Sequence, residues 1–92
     1  MSLSLEEYRE ELVSKILSAV SQDEVNCFIN TALKALEQNK INGHIISRFV
    51  EKMTRDLRLF DPMKKDAQQW SNIKIARILF IRIKNNLNET IN

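Results

Sequence analysis

Residues 70–87, WSNIKIARILFIRIKNNL, are the most apolar run in the chain, and their reading decides the fold. Ile73, Ala76, Phe80, Ile83 and Leu87 recur at steps of three and four, which places them in one stripe of a helix. Ile75 and Leu79 widen that stripe, while Trp70, Ile78 and Ile81 project to the far side. A helix that is apolar on two sides is either central to a bundle or shared with another chain. The same run also has a strand-like aspect, because Ile73, Ile75, Leu79, Ile81 and Ile83 sit at odd positions and β-branched residues abound. The alternation fails at Arg77, Ile78 and Phe80, however, and no second strand candidate exists to pair the backbone. The helix is the preferred reading.

Working back from this stretch, the chain divides at its few helix breakers. Asp61 and Pro62 end the preceding segment and can open the next, with Asp as N-cap and Pro at the first helical position. Asp66 with Gln69, and Ser71 one turn later, offer later openings. The last helix therefore begins between 62 and 72 and runs to about 88, with room for a short helical turn between Met63 and Gln69. Upstream, Ile45, Ile46, Phe49, Val50, Met53, Leu57 and Phe60 give a third helix over about 43–59, with Arg48, Glu51, Lys52, Arg55 and Arg58 as its solvated face. Asn39 to Gly43 is the clearest break, and Asn42 followed by Gly43 is a strong turn signal. A second helix over 22–38 carries Val25, Phe28, Ile29, Ala32, Leu33, Ala35 and Leu36 on one side, and Ser21 with Glu24 forms a capping box at its start. Ser4 with Glu7 does the same for a first helix to about Val20, whose apolar side is Leu5, Tyr8, Leu12, Val13, Ile16, Ala19 and Val20. Arg9 falls inside that apolar arc. Its stem is expected to cover the core edge while its head reaches water, the alternative being a pair with a carboxylate across a helix or subunit boundary.

The expectation is thus an all-α, up-and-down bundle of four helices with a long apolar C-terminal helix, in one domain spanning residues 1–92. Composition agrees: 43% hydrophobic and 28% charged residues, with one Gly and one Pro, suit a soluble helical protein and exclude a disordered segment. No apolar run approaches the ~18 residues of a membrane span. Glu6, Glu7, Glu10 and Glu11 stand where a secretory signal would be basic and then apolar, and a single Cys excludes an internal disulfide, so a cytoplasmic protein is expected. The net charge of +2 is unevenly spread. Residues 1–47 hold four Lys/Arg and seven Asp/Glu, and residues 48–92 hold ten and five. Such asymmetry steers the two halves together or attracts an acidic partner.

Little in the sequence carries chemistry. One Gly cannot make a phosphate loop, and one Cys with one His cannot hold zinc within a single chain. A di-iron bundle needs two Glu-x-x-His motifs, and none occurs. The acidic cluster at the first helix is explained by dipole and solubility. Cys27 lies opposite the apolar stripe of its helix with Thr31 and Lys34, away from His44, and reads as a surface or subunit-contact residue rather than a nucleophile. A helix-turn-helix reading of helices 2 and 3 fails on the length of the turn. We therefore expect no catalysis, no cofactor and no metal. The expected role is a protein–protein interaction or regulatory module, self-associating as a dimer or binding a protein partner through the last helix. The candidate interface is Trp70, Ile78, Ile81, Arg77 and Lys74, an apolar centre with a basic rim. The alternative is a nucleic-acid-binding protein in which Lys74, Arg77 and Lys84 contact phosphates, Trp70 stacks on a base, and Ile81 and Asn88 complete the stripe.

Overall fold

The computed structural model describes residues 4–91, with side chains to residue 86. It contains four α-helices, α1 Leu5–Ser18, α2 Gln22–Gln38, α3 Gly43–Arg58 and α4 Ala67–Ile91, and one 3₁₀ turn at Pro62–Lys64. The described residues include no strand, so the organising stretch is helical. The expected places of Leu87 in the apolar stripe and Asn88 at the foot of the basic one lie outside the described side chains.

Short polar side chains set the helix starts. Ser4 and Ser21 accept the backbone N–H of Glu7 and Glu24 at 3.1 and 3.2 Å. Glu24 does not return to its own cap; its Oε1 takes the N–H of Val20 at 3.0 Å. Asp61 caps only the 3₁₀ turn, accepting from Met63 N–H. The start of α4 is fixed by a reciprocal pair: Gln69 N–H donates to Asp66 Oδ1 at 2.8 Å, and Asp66 N–H to Gln69 Oε1 at 3.3 Å.

The α2–α3 corner differs from the expected Asn-Gly turn. Asn42 is the N-cap of α3, accepting from His44 N–H at 2.8 Å, and Gly43 is the first helical residue. The left-handed residue is Lys40, at φ 58°. Lys40 N–H bonds Glu37 O and Ile41 N–H bonds Leu36 O, while Ile41 and Leu36 pack into the core, which together make a Schellman ending.

The helices alternate in direction. Tyr8 near the start of α1 donates to Ala32 O in the second half of α2, at 3.5 Å, and Lys84 late in α4 meets Glu51 in α3. Tyr8 and Arg9 reach Phe49 and Asp56, so α1 and α3 ascend together. Helices α1 and α4 each pack against all three others, whereas α2 and α3 scarcely touch. A helix-turn-helix pair would require that missing contact.

The core holds Ile73, Ala76 and Phe80 of α4, with Leu12, Ile16, Val25, Ile29, Leu36, Phe49, Val50, Met53 and Leu57. Phe28 and Ile83 are half-buried against it. Helix α1 stops at Ser18, two residues before the expected end, because Ala19 turns extended (ψ 144°), and Val20 then faces solvent. Ile45 is likewise exposed. Arg9 departs from the expected reading: its stem lies against the core and its Nε sits 2.8 Å from Asp56 Oδ2 of α3, with the N–H poorly aligned on the oxygen. With the head this far from bulk water, a carboxylate across the helix boundary is the better partner.

Candidate interaction surface on the C-terminal helix

Helix α4 presents two different sides. Its inner side, Asn72, Ile73, Ala76 and Phe80, is buried. Turned away from it, Ile78 keeps 53% of its surface exposed and Ile81 41%. Trp70 does not belong with them as expected. Its ring is half-buried and packs on the core, and Lys74 Nζ sits 5.8 Å from the ring centroid, within cation–π range. The sequence placed Trp70 outside the stripe because spacing counts only this helix's own inward direction.

The candidate residues thus fall into two groups. Trp70 and Lys74 form a pair near the start of α4. Ile81 and Lys84 line a groove of about 520 Å³ between α3 and α4, together with Glu51, Thr54, Arg55, Arg58 and Asn85. In this groove Lys84 Nζ meets Glu51 Oε1 at 3.7 Å. Arg77 is half-buried, one turn before Ile81 on α4. By sequence alone, Arg55 and Arg58 are ordinary solvated residues of α3. Their spacing of three puts them on one flank, but only the packing of α3 on α4 decides that this flank adjoins Ile81. Among the described residues, Arg55, Arg58, Arg77 and Arg82 have no carboxylate partner, so the α3–α4 side carries unneutralised positive charge.

Elsewhere the surface offers shallow grooves. One, of about 310 Å³ between α1 and α2, is floored by Tyr8, Leu12 and Phe28, with the exposed thiol of Cys27 on its rim. His44 is exposed at the start of α3 and is no partner to that thiol there. The described residues contain no group of three His, Cys, Asp or Glu able to hold a metal ion, and no helix among them is long and apolar enough to cross a membrane. Known protein families, curated proteins and solved structures provide no match to this chain.

Proposed function

We propose that this chain is a non-enzymatic protein–protein interaction module that associates with itself through α4, needs no cofactor and works in the cytoplasm. The observation that carries the reading is the exposed pair Ile78 and Ile81 on a helix whose opposite side fills the core. Covering what remains exposed of each gains about 1–1.5 kcal/mol, half the value of a fully buried isoleucine. A lone exposed cysteine with no disulfide partner suits a reducing compartment.

That gain alone does not hold two proteins together, because association costs at least ~4 kcal/mol in lost motion. The cations around the pair must contribute. They also favour the second reading, a nucleic-acid partner, but two of its expected contacts are already engaged: Trp70 is half-buried beneath Lys74, and Lys84 faces Glu51. Binding of a labelled duplex or single strand that weakens steeply with salt would put this second reading first.

The test is light scattering on the wild type and on Ile81→Glu. The wild type should give particles of about 22 kDa or more, twice the 10.8 kDa chain. Ile81→Glu should give the monomer with an unchanged helical circular dichroism spectrum. A monomeric wild type at high concentration sinks the proposal, and unfolding of the variant assigns Ile81 to the core instead.

A further inference from the structure

We propose that self-association is head-to-tail: the cationic α3–α4 side of one copy receives the acidic outer side of α1 from the next. The inference rests on the reading that α4 is a self-association surface, and it names what covers that surface. Its basis is charge and placement. Helix α1 exposes Glu6, Glu7, Glu10 and Glu11. Lys15 stands 3.5 Å from Glu11, Arg9 reaches Glu6 at 3.9 Å while its Nε turns inward to Asp56, and Arg48 and Lys52 of α3 border the groove next to Glu6. The opposite surface carries Arg55, Arg58, Arg77 and Arg82 around Ile78 and Ile81, with Glu51 held by Lys84.

These two surfaces cannot meet within one molecule. Helices α1 and α4 pack on each other through Ile16, Ala19 and Asn72, so their exposed sides point in opposite directions. Even the shortest dimension of the molecule, 23 Å, exceeds twice the screening length of about 8–10 Å at ordinary salt. Each surface therefore keeps its own field. A two-fold dimer through α4 would set the four arginines of one copy against the same four of the other, and like charges in juxtaposition oppose that arrangement. Placing carboxylates there instead neutralises them, and the contact is heterologous. Such a contact leaves one free surface of each kind, so growth continues beyond two copies unless the turn per copy closes a ring.

The test uses two full-length variants. The first, E6K/E7K/E10K/E11K, reverses α1 and leaves the α4 surface intact. The second, R55E/R77E/R82E, reverses the cationic side and leaves α1 intact. Each alone should be monomeric in sedimentation velocity, since its two surfaces then carry like charge, and an equimolar mixture should associate, because the intact acidic α1 of the second variant meets the intact cationic side of the first and the two reversed surfaces are complementary as well. Raising NaCl from about 0.05 to about 0.5 M should weaken that complex at least about tenfold, as screening shortens. If the α1 variant still dimerises alone, the contact is two-fold and the head-to-tail inference is overturned while self-association stands. If wild type is monomeric throughout, both fail. Should either quadruple or triple variant lose its helical spectrum, E7K/E10K paired with R77E/R82E gives the same reading with half the change.

Discussion

Helix α1 ends without a glycine to turn its last carbonyls inward, and another helix supplies the missing donors. Asn72 of α4 is fully buried and gives both amide hydrogens to α1, at 3.0 Å to Ile16 O and 2.8 Å to Ala19 O. Its own oxygen accepts from Gln68 Nε2 at 2.9 Å, so every group on the side chain is used. Replacing it takes the side-chain donor away from Ala19 O in a dry setting. Asn72→Ala should lower the unfolding free energy by about 1–3 kcal/mol, the usual range for stranding a buried polar group. Asn72→Asp should lose more at neutral pH, since it turns a negative charge on the same two oxygens. Urea titration of both variants checks the order, and an Asp variant as stable as wild type contradicts it. Lys40 offers the opposite case. Its φ of 58° suits glycine, so Lys40→Gly should raise stability by about 0.5–1 kcal/mol, read as a higher urea midpoint. A lower midpoint would show that the lysine earns its place through its side chain.

Each helix owes its position to a stripe that its spacing reveals and to neighbours that spacing does not. Phe80 shows the first part. It sits at the centre of the inner stripe of α4, fully buried, as the three- and four-residue steps require. Phe80→Ala should cost about 3–5 kcal/mol, and a thermal melt losing less than about 1 kcal/mol would mean that the core is elsewhere. Ile45, Val20 and Trp70 show the second part. Ile45 and Val20 lie in apolar arcs yet stay exposed: Ile45 lines an open groove between α1 and α3, and Val20 follows the extended residue Ala19 that ends α1. Trp70 lies outside its arc yet is half-buried, packed against the core with Lys74 over its ring. The arc of a helix is a local property, and its cover is a tertiary one. The same limit hid Asn72: an asparagine amid isoleucines carries no sign that a helix end fifty residues earlier lacks donors. The corner at Asn42 and Gly43 misled for a different reason. A cap and a turn use the same residue types, and the turn itself was made one step earlier by Lys40.

At the scale of the whole molecule, the uneven charge of the two halves becomes an uneven surface. The sequence showed that residues 1–47 are acidic and 48–92 basic, and steering the halves together was the simpler use of that difference. Folding instead turns most of the charge outward, on opposite sides of a domain whose α1 and α4 share their apolar faces. The inward exception is Arg9 with Asp56. What is left is a cationic surface with two exposed isoleucines and an acidic surface facing away from it, which is the arrangement from which self-association was inferred. The most direct test is the weight-average mass of the wild-type chain by sedimentation velocity, measured from micromolar to millimolar concentration at low salt. The account predicts a mass that climbs with concentration past the 10.8 kDa monomer and past twice that value, and that falls back on adding salt. A mass fixed at 10.8 kDa over the whole range would contradict it.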